Sequence, residues 1–125
     1  MITTTHASQV YFYLDKIDFR KGIDGHVFIC KEVIKKDPFS GAIFVFMNSC
    51  RTTIRLLCYD GQGFWLCQKR LSEGKFKWRP SLLQDNNLSQ ETILNLLPRE
   101  FQVLLWNGSP EMAKMQSDWR KINSN

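Results

Sequence analysis

Two runs rich in β-branched and aromatic side chains, Thr53–Tyr59 and Phe64–Arg70, stand on either side of Asp60-Gly61-Gln62-Gly63. A short Asp/Gly turn between two such runs is a strong local signal for a β-hairpin. The middle of the chain is therefore constrained to antiparallel sheet. Ala42–Met47, just before it, is wholly apolar, as a central strand would be. After the hairpin, Ser72-Glu73-Gly74 reads as a second turn and Lys75–Arg79 as a further strand. The aromatic run Val10–Leu14 reads as a strand as well.

Side chains alternate across a strand, so pairing fixes the faces. With Tyr59 opposite Phe64 and Ser72 opposite Lys75, one face carries Ile54, Leu56, Cys58, Trp65, Cys67, Leu71, Phe76 and Trp78. Arg55, Arg70, Lys75, Lys77 and Arg79 fall on the other, with Tyr59 and Phe64 nearer the first turn. The expectation is an apolar inner face that buries Trp65 and Trp78, and a basic, partly aromatic outer face.

Between Gly22 and Lys36 the apolar residues Ile23, Val27, Cys30 and Ile34 recur at helical spacing. Lys31, Lys35 and Lys36 suit the C-terminal end of the helix dipole, and Asp37-Pro38 stops the helix. Beyond Pro80 the pattern changes. Ser81–Leu88 reads as a polar connector, Ser89–Leu97 as a short helix, and Pro98 to Asn107-Gly108 as a second. A last helix starts at Pro110, with Met112, Met115 and Trp119 on one face. The fold class is α+β: an antiparallel meander of about four to five strands packed on one amphipathic helix, with a C-terminal helical appendage. The expected partition is a flexible tail over 1–9, a core over 10–80, and connector plus helices over 81–125.

At 125 residues the chain is long enough for one domain with a buried core. No apolar run approaches the ~18 residues of a membrane span, and the first residues lack the pattern of a signal peptide. Cys30, Cys50, Cys58 and Cys67 form no Cys-x-x-Cys pair, and His6 and His26 lie far in sequence from the later cysteines, which argues against zinc and for free thiols in a cytoplasmic protein. No Gly-rich phosphate loop, activated nucleophile or carboxylate cluster stands out, so no catalytic residue, metal or cofactor is expected. One enzymatic alternative is Asp60 with Glu73-Gly74-Lys75, a loose nuclease pattern, but Glu73 falls in a turn. The charge is informative. The stretch from Arg51 to Arg79 holds seven basic and two acidic residues and so carries the whole net charge of +5. Arg51, Arg55, Arg70, Lys75, Lys77 and Arg79 are the candidate nucleic-acid contacts, since clustered cations neutralise phosphates.

Several motifs follow one another along the chain. They are Asp18-Phe19-Arg20-Lys21-Gly22, Asp37-Pro38-Phe39-Ser40-Gly41, Asp60-Gly61-Gln62-Gly63-Phe64-Trp65, Lys69-Arg70-Leu71 and Gly74-Lys75-Phe76-Lys77-Trp78. Together they resemble the second-open-reading-frame accessory proteins of the insertion sequence 66 family, often labelled TnpB, over roughly Val10 to Pro80. The resemblance implies a non-catalytic role in DNA transposition beside a separate transposase, with DNA and that transposase as partners. It assigns no role to Asp18, Arg20, Lys21, Gly22, Asp37, Pro38, Gly41, Asp60, Gly61, Gly63, Trp65, Lys69 or Trp78. The alternative is a module that binds the transposase without touching DNA. Met47-Asn48-Ser49-Cys50-Arg51 is poorer in arginine than the family pattern at that point.

Overall fold

The structure is a computed structural model that describes residues 9–81 and 92–107. The expected N-terminal tail, most of the connector, the start of the helix at Ser89 and the last helix from Pro110 lie outside the described residues.

Five strands, β1 (Val10–Tyr13), β2 (Ile43–Met47), β3 (Thr53–Tyr59), β4 (Phe64–Arg70) and β5 (Ile93–Asn95), form one mixed sheet in the order β4-β3-β2-β1-β5. β2, β3 and β4 make the antiparallel meander, with Tyr59 opposite Phe64 as the hairpin turn requires. β1 runs parallel to β2, pairing Val10 with Ile43. A parallel neighbour needs a crossover, and the helical segment supplies it: α1 (Ile23–Phe28), continued as a π-helix over Ile29–Ile34. The segment ends on Lys35 in the left-handed conformation, φ 62°, with the Lys36 N–H donating to the Cys30 carbonyl at 3.0 Å.

Two expectations about elements are corrected. Lys75–Arg79 is no strand. The Phe76 N–H donates to the Arg51 carbonyl at 2.7 Å, but no ladder follows. The segment crosses the end of the sheet as a strap, with Phe76 driven into the core at 1% exposure. The expected helix up to Leu97 contains β5 (Ile93–Asn95), antiparallel to β1 with Tyr11 opposite Asn95. α2 (Pro98–Leu105) follows, opened by Pro98 and by the Glu100 carboxylate, which accepts from the Leu97 N–H at 2.8 Å.

Both faces of the sheet are covered. On one, Val10, Phe12, Ile43, Val45, Met47 and Ile54 pack with Phe76 and with Phe101 and Leu104 of α2. On the other, Tyr13, Phe44, Phe46 and Leu57 pack with Cys30 and Ile34 of the helical segment. The helical segment therefore lies on the face that carries Arg55, Tyr59 and Phe64, not on the face of Leu56 and Cys58. This leaves no open basic sheet face. It also explains why every residue of β2 is buried.

His26, fully buried, takes an inward place on the helical segment while Ile23 is 39% exposed. Its ring meets Phe46 edge-on at 4.8 Å, and its Nδ1 lies 2.8 Å from the Gly22 carbonyl, so Nδ1 carries the proton. Of the two tryptophans, Trp78 is half-buried and packs against the core. Trp65 does not, at 44% exposure, because β4 is the sheet edge and nothing described covers its outer end.

Candidate nucleic-acid interface

The chain leaves β1, β2 and β4 at the same end of the sheet, as the pairings of Phe12 with Val45 and of Thr53 with Arg70 require. Three connections gather there: the β1–α1 loop, the β2–β3 loop and the strap. All six candidate cations belong to this end. The structure divides them by what their side chains already do.

Arg51 is a structural residue. The β2–β3 loop turns on the Asn48 side chain, whose Oδ1 accepts from the Thr52 and Thr53 N–H groups at 2.9 and 3.1 Å. That puts Arg51 under the strap, where its Nη2 donates to the carbonyls of Phe76 at 2.8 Å and Lys77 at 3.0 Å. Arg55 is tied down as well. Its Nε donates to Gln68 Oε1 at 2.6 Å, its Nη1 to the Lys21 carbonyl at 2.9 Å, and its guanidinium lies 4.5 Å from the centre of the Phe19 ring. Arg79 is half-buried, with its guanidinium 5.7 Å from the Phe12 ring centre. Burial, with Arg51 nearby, pulls its pKa below the ordinary arginine value.

Arg70, Lys75 and Lys77 differ. All three are exposed, and among the described residues their side chains make no hydrogen bond or ion pair. The strap that carries the two lysines is held by Phe76 in the core, by Arg51, and by Asn107 Oδ1, which accepts from the Lys77 N–H at 2.8 Å. Lys69 beside Arg70 reaches over the opposite face to the Leu105 carbonyl, where a cation suits the C-terminus of α2. The βαβ connection also brings Arg20 and Lys21 to this end. The pattern of the residues missed them, although the family motif contains both. Arg20 is paired with Asp18 at 2.9 Å, which holds the Asp18 carboxyl down at about 2. The signal that could have found them is the crossover itself, once β1 and β2 are recognised as parallel.

The remaining motif residues build turns. The Gly22 carbonyl accepts from His26, Asp37 caps the turn Pro38–Ser40 by accepting from the Phe39 N–H at 2.9 Å, and Gly41 and Gly61 hold φ near 91° and 101°. Asp60 Oδ1 accepts from the Gln62 and Gly63 N–H groups, and its Oδ2 from Trp65 Nε1 at 2.7 Å. These donors hold the Asp60 carboxyl near 2.

The nuclease alternative fails on geometry. Asp60 and Glu73 stand at opposite ends of β4, and seven extended residues span about 20 Å. Among the described residues no group of three His, Cys, Asp or Glu is placed to hold a metal. Burial pushes the Cys30 thiol up to about 12, far from reactive thiolate chemistry. No helix among the described residues is long and apolar enough to cross a membrane.

These features define a small α+β protein with Arg70, Lys75 and Lys77 grouped at one end of a sheet covered on both faces. The chain belongs to the family described as IS66 Orf2 like protein, whose model matches residues 8–109. That family ties it to transposition in an accessory capacity. Two similar proteins come from Sinorhizobium fredii (strain NGR234), both described only as uncharacterized. One, y4jC, is 30% identical over 105 residues, covering 84% of this chain and 83% of its own length. The other, y4hO, is 31% identical over 78 residues, covering 62% and 68%. No solved structure matches the chain.

Proposed function

We propose that the chain is a non-catalytic accessory factor of insertion-sequence transposition that holds DNA by its phosphates through the basic end of the sheet. One observation carries this reading: Arg70, Lys75 and Lys77 project from a pinned strap and strand end with no protein partner of their own among the described residues. Cations held so are poised to replace the counterions of a duplex. Arg51, Arg55 and Arg79 shape this end and contact DNA little. Such contacts position a protein and read no bases, so sequence choice would fall to the transposase or to DNA shape.

A second reading, docking on the transposase without DNA contact, is favoured by the exposed Ile23 and Phe28 on α1 and Val33 on its continuation. A gel shift with duplex DNA at low salt, with and without purified transposase, separates the two. The first reading expects the isolated protein to retard DNA, and the triple change of Arg70, Lys75 and Lys77 to alanine to abolish it. Retardation only with transposase present, unchanged by the triple change, would give the second reading its place.

A further inference from the structure

β4 is an edge strand, and among the described residues no strand pairs with its outer side. Its pairing with β3 runs one to one over all seven residues, without a bulge, proline or glycine. Such a long, regular edge is a template for another strand. Parity fixes which groups it offers. The Asp60 N–H donates to the Gly63 carbonyl and the Leu71 N–H to the Thr52 carbonyl. Bonded pairs alternate along an antiparallel ladder, so Trp65, Cys67 and Lys69 direct their backbone groups toward β3. Phe64, Leu66, Gln68 and Arg70 direct theirs outward, and among the described residues nothing bonds to them.

We propose that β4 is the interface between two copies of this chain, joined antiparallel about Cys67 into one continuous sheet. The strand is self-complementary in that register. Arg70 stands opposite the partner's Phe64, Lys69 opposite the partner's Trp65, Gln68 opposite the partner's Leu66, and Cys67 opposite the partner's Cys67. Each cation meets an aromatic ring, a pairing that stabilises neighbouring strands. The exposed Trp65 indole, otherwise uncovered, gains the Lys69 stem of the second copy as a neighbour. Centring the pair on Lys69 sets lysine opposite lysine, and centring it on Trp65 leaves Cys67 to Arg70 without a strand partner. Every outward N–H and carbonyl of the strand is satisfied only when the two copies are centred on Cys67. The two basic ends then lie at opposite ends of the joined sheet.

In this arrangement the two Cys67 residues form a non-hydrogen-bonded pair, with Cα atoms about 4.5 Å apart, within the range a disulfide spans. This gives a test that leaves the strand untouched. Cys50 is exposed, whereas Cys30 and Cys58 are buried, so Cys50→Ser leaves Cys67 as the accessible thiol among the described residues. Mild oxidation of that variant is expected to yield a covalent dimer, lost when Cys67→Ser is added. Sedimentation equilibrium adds a second readout. Trp65→Lys, which sets lysine opposite lysine twice, should weaken the dimer by about tenfold or more, while Trp65→Glu should leave it intact. A wild-type protein that stays monomeric at several hundred micromolar would overturn the proposal. So would a dimer that Trp65→Lys leaves unchanged and that oxidation does not link through Cys67.

Discussion

The strap from Lys75 to Arg79 is where the positioning of free cations depends on the core, and truncating Phe76 tests that dependence. The Phe76 ring is 1% exposed and packs in the cluster that contains Met47, Ile54, Phe101 and Leu104. A sheet face on one side and α2 on the other limit how far that space can collapse. Phe76→Ala should therefore cost about 3–5 kcal/mol in urea unfolding. Arg51 pins the same strap with charged donors to the carbonyls of Phe76 and Lys77, one part-buried and one exposed. Arg51→Met keeps the apolar stem and removes both bonds, at about 2 kcal/mol. Because both changes release one strap, the double variant should lose less than the two single losses combined. Lys77→Ala, at an exposed position, should move stability by less than about 0.5 kcal/mol. The reasoning fails if Phe76→Ala costs under about 1 kcal/mol, or if the Arg51 and Phe76 changes are additive.

Two further predictions concern pH. Burial lowers the His26 pKa below its ordinary value near 6.5, outweighing the Gly22 hydrogen bond that raises it. The unfolded chain then binds the extra proton. The contribution of neutral His26 should be fully present above about pH 6.5 and decline as the pH falls below it, with a slope of at most about 1.4 kcal/mol per pH unit; urea unfolding of wild type against His26→Leu should show the difference between pH 7 and 5, and parallel curves would contradict it. The Asp60 carboxyl sits near 2 because backbone N–H groups and the Trp65 indole donate to it. That turn should hold as the pH falls through 4 and loosen only as it approaches 2, read as the change in Trp65 emission that Asp60→Asn produces at neutral pH; a transition near pH 4 would show the hydrogen bonds to be absent in solution.

Much of the sheet was legible because its signals are local. Asp60-Gly61-Gln62-Gly63 fixes the hairpin and its register, and the unbroken apolar run at Ala42–Met47 marks a strand buried on both faces. The rest depended on contacts that no short window contains. Lys75-Phe76-Lys77-Trp78-Arg79 alternates as a strand does, yet Phe76 is held by the core and by Arg51 rather than by a ladder. β1 looks like any other strand until its partner is known, and its parallel pairing carries the helical segment to the Arg55 face. Tyr59 and Phe64 on that face were a sign that it was not open to water. Ile93–Asn95 is too short to show a period of two. The cluster of cations was legible as charge along the chain, but not the division within it between Arg51, Arg55 and Arg79, which hold the fold, and Arg70, Lys75 and Lys77, whose side chains make no hydrogen bond or ion pair among the described residues.

The central claim is that DNA is held by the free cations of the basic end, and the salt dependence of duplex binding tests it most directly. The wild type should be compared with the triple change of Arg70, Lys75 and Lys77 to alanine. The control is the triple change of Lys31, Lys35 and Lys36 to alanine. Those lysines lie at the opposite end of the sheet, where Gly41 meets Cys58 and Phe39 meets Tyr59. Each phosphate contact contributes about 0.9 to the slope of log affinity against log salt. The first variant should therefore lose about 2–3 units of slope, and the control, which removes the same formal charge, should lose little. Equal losses in the two variants would show attraction by net charge alone, and no binding by folded wild type would end the claim.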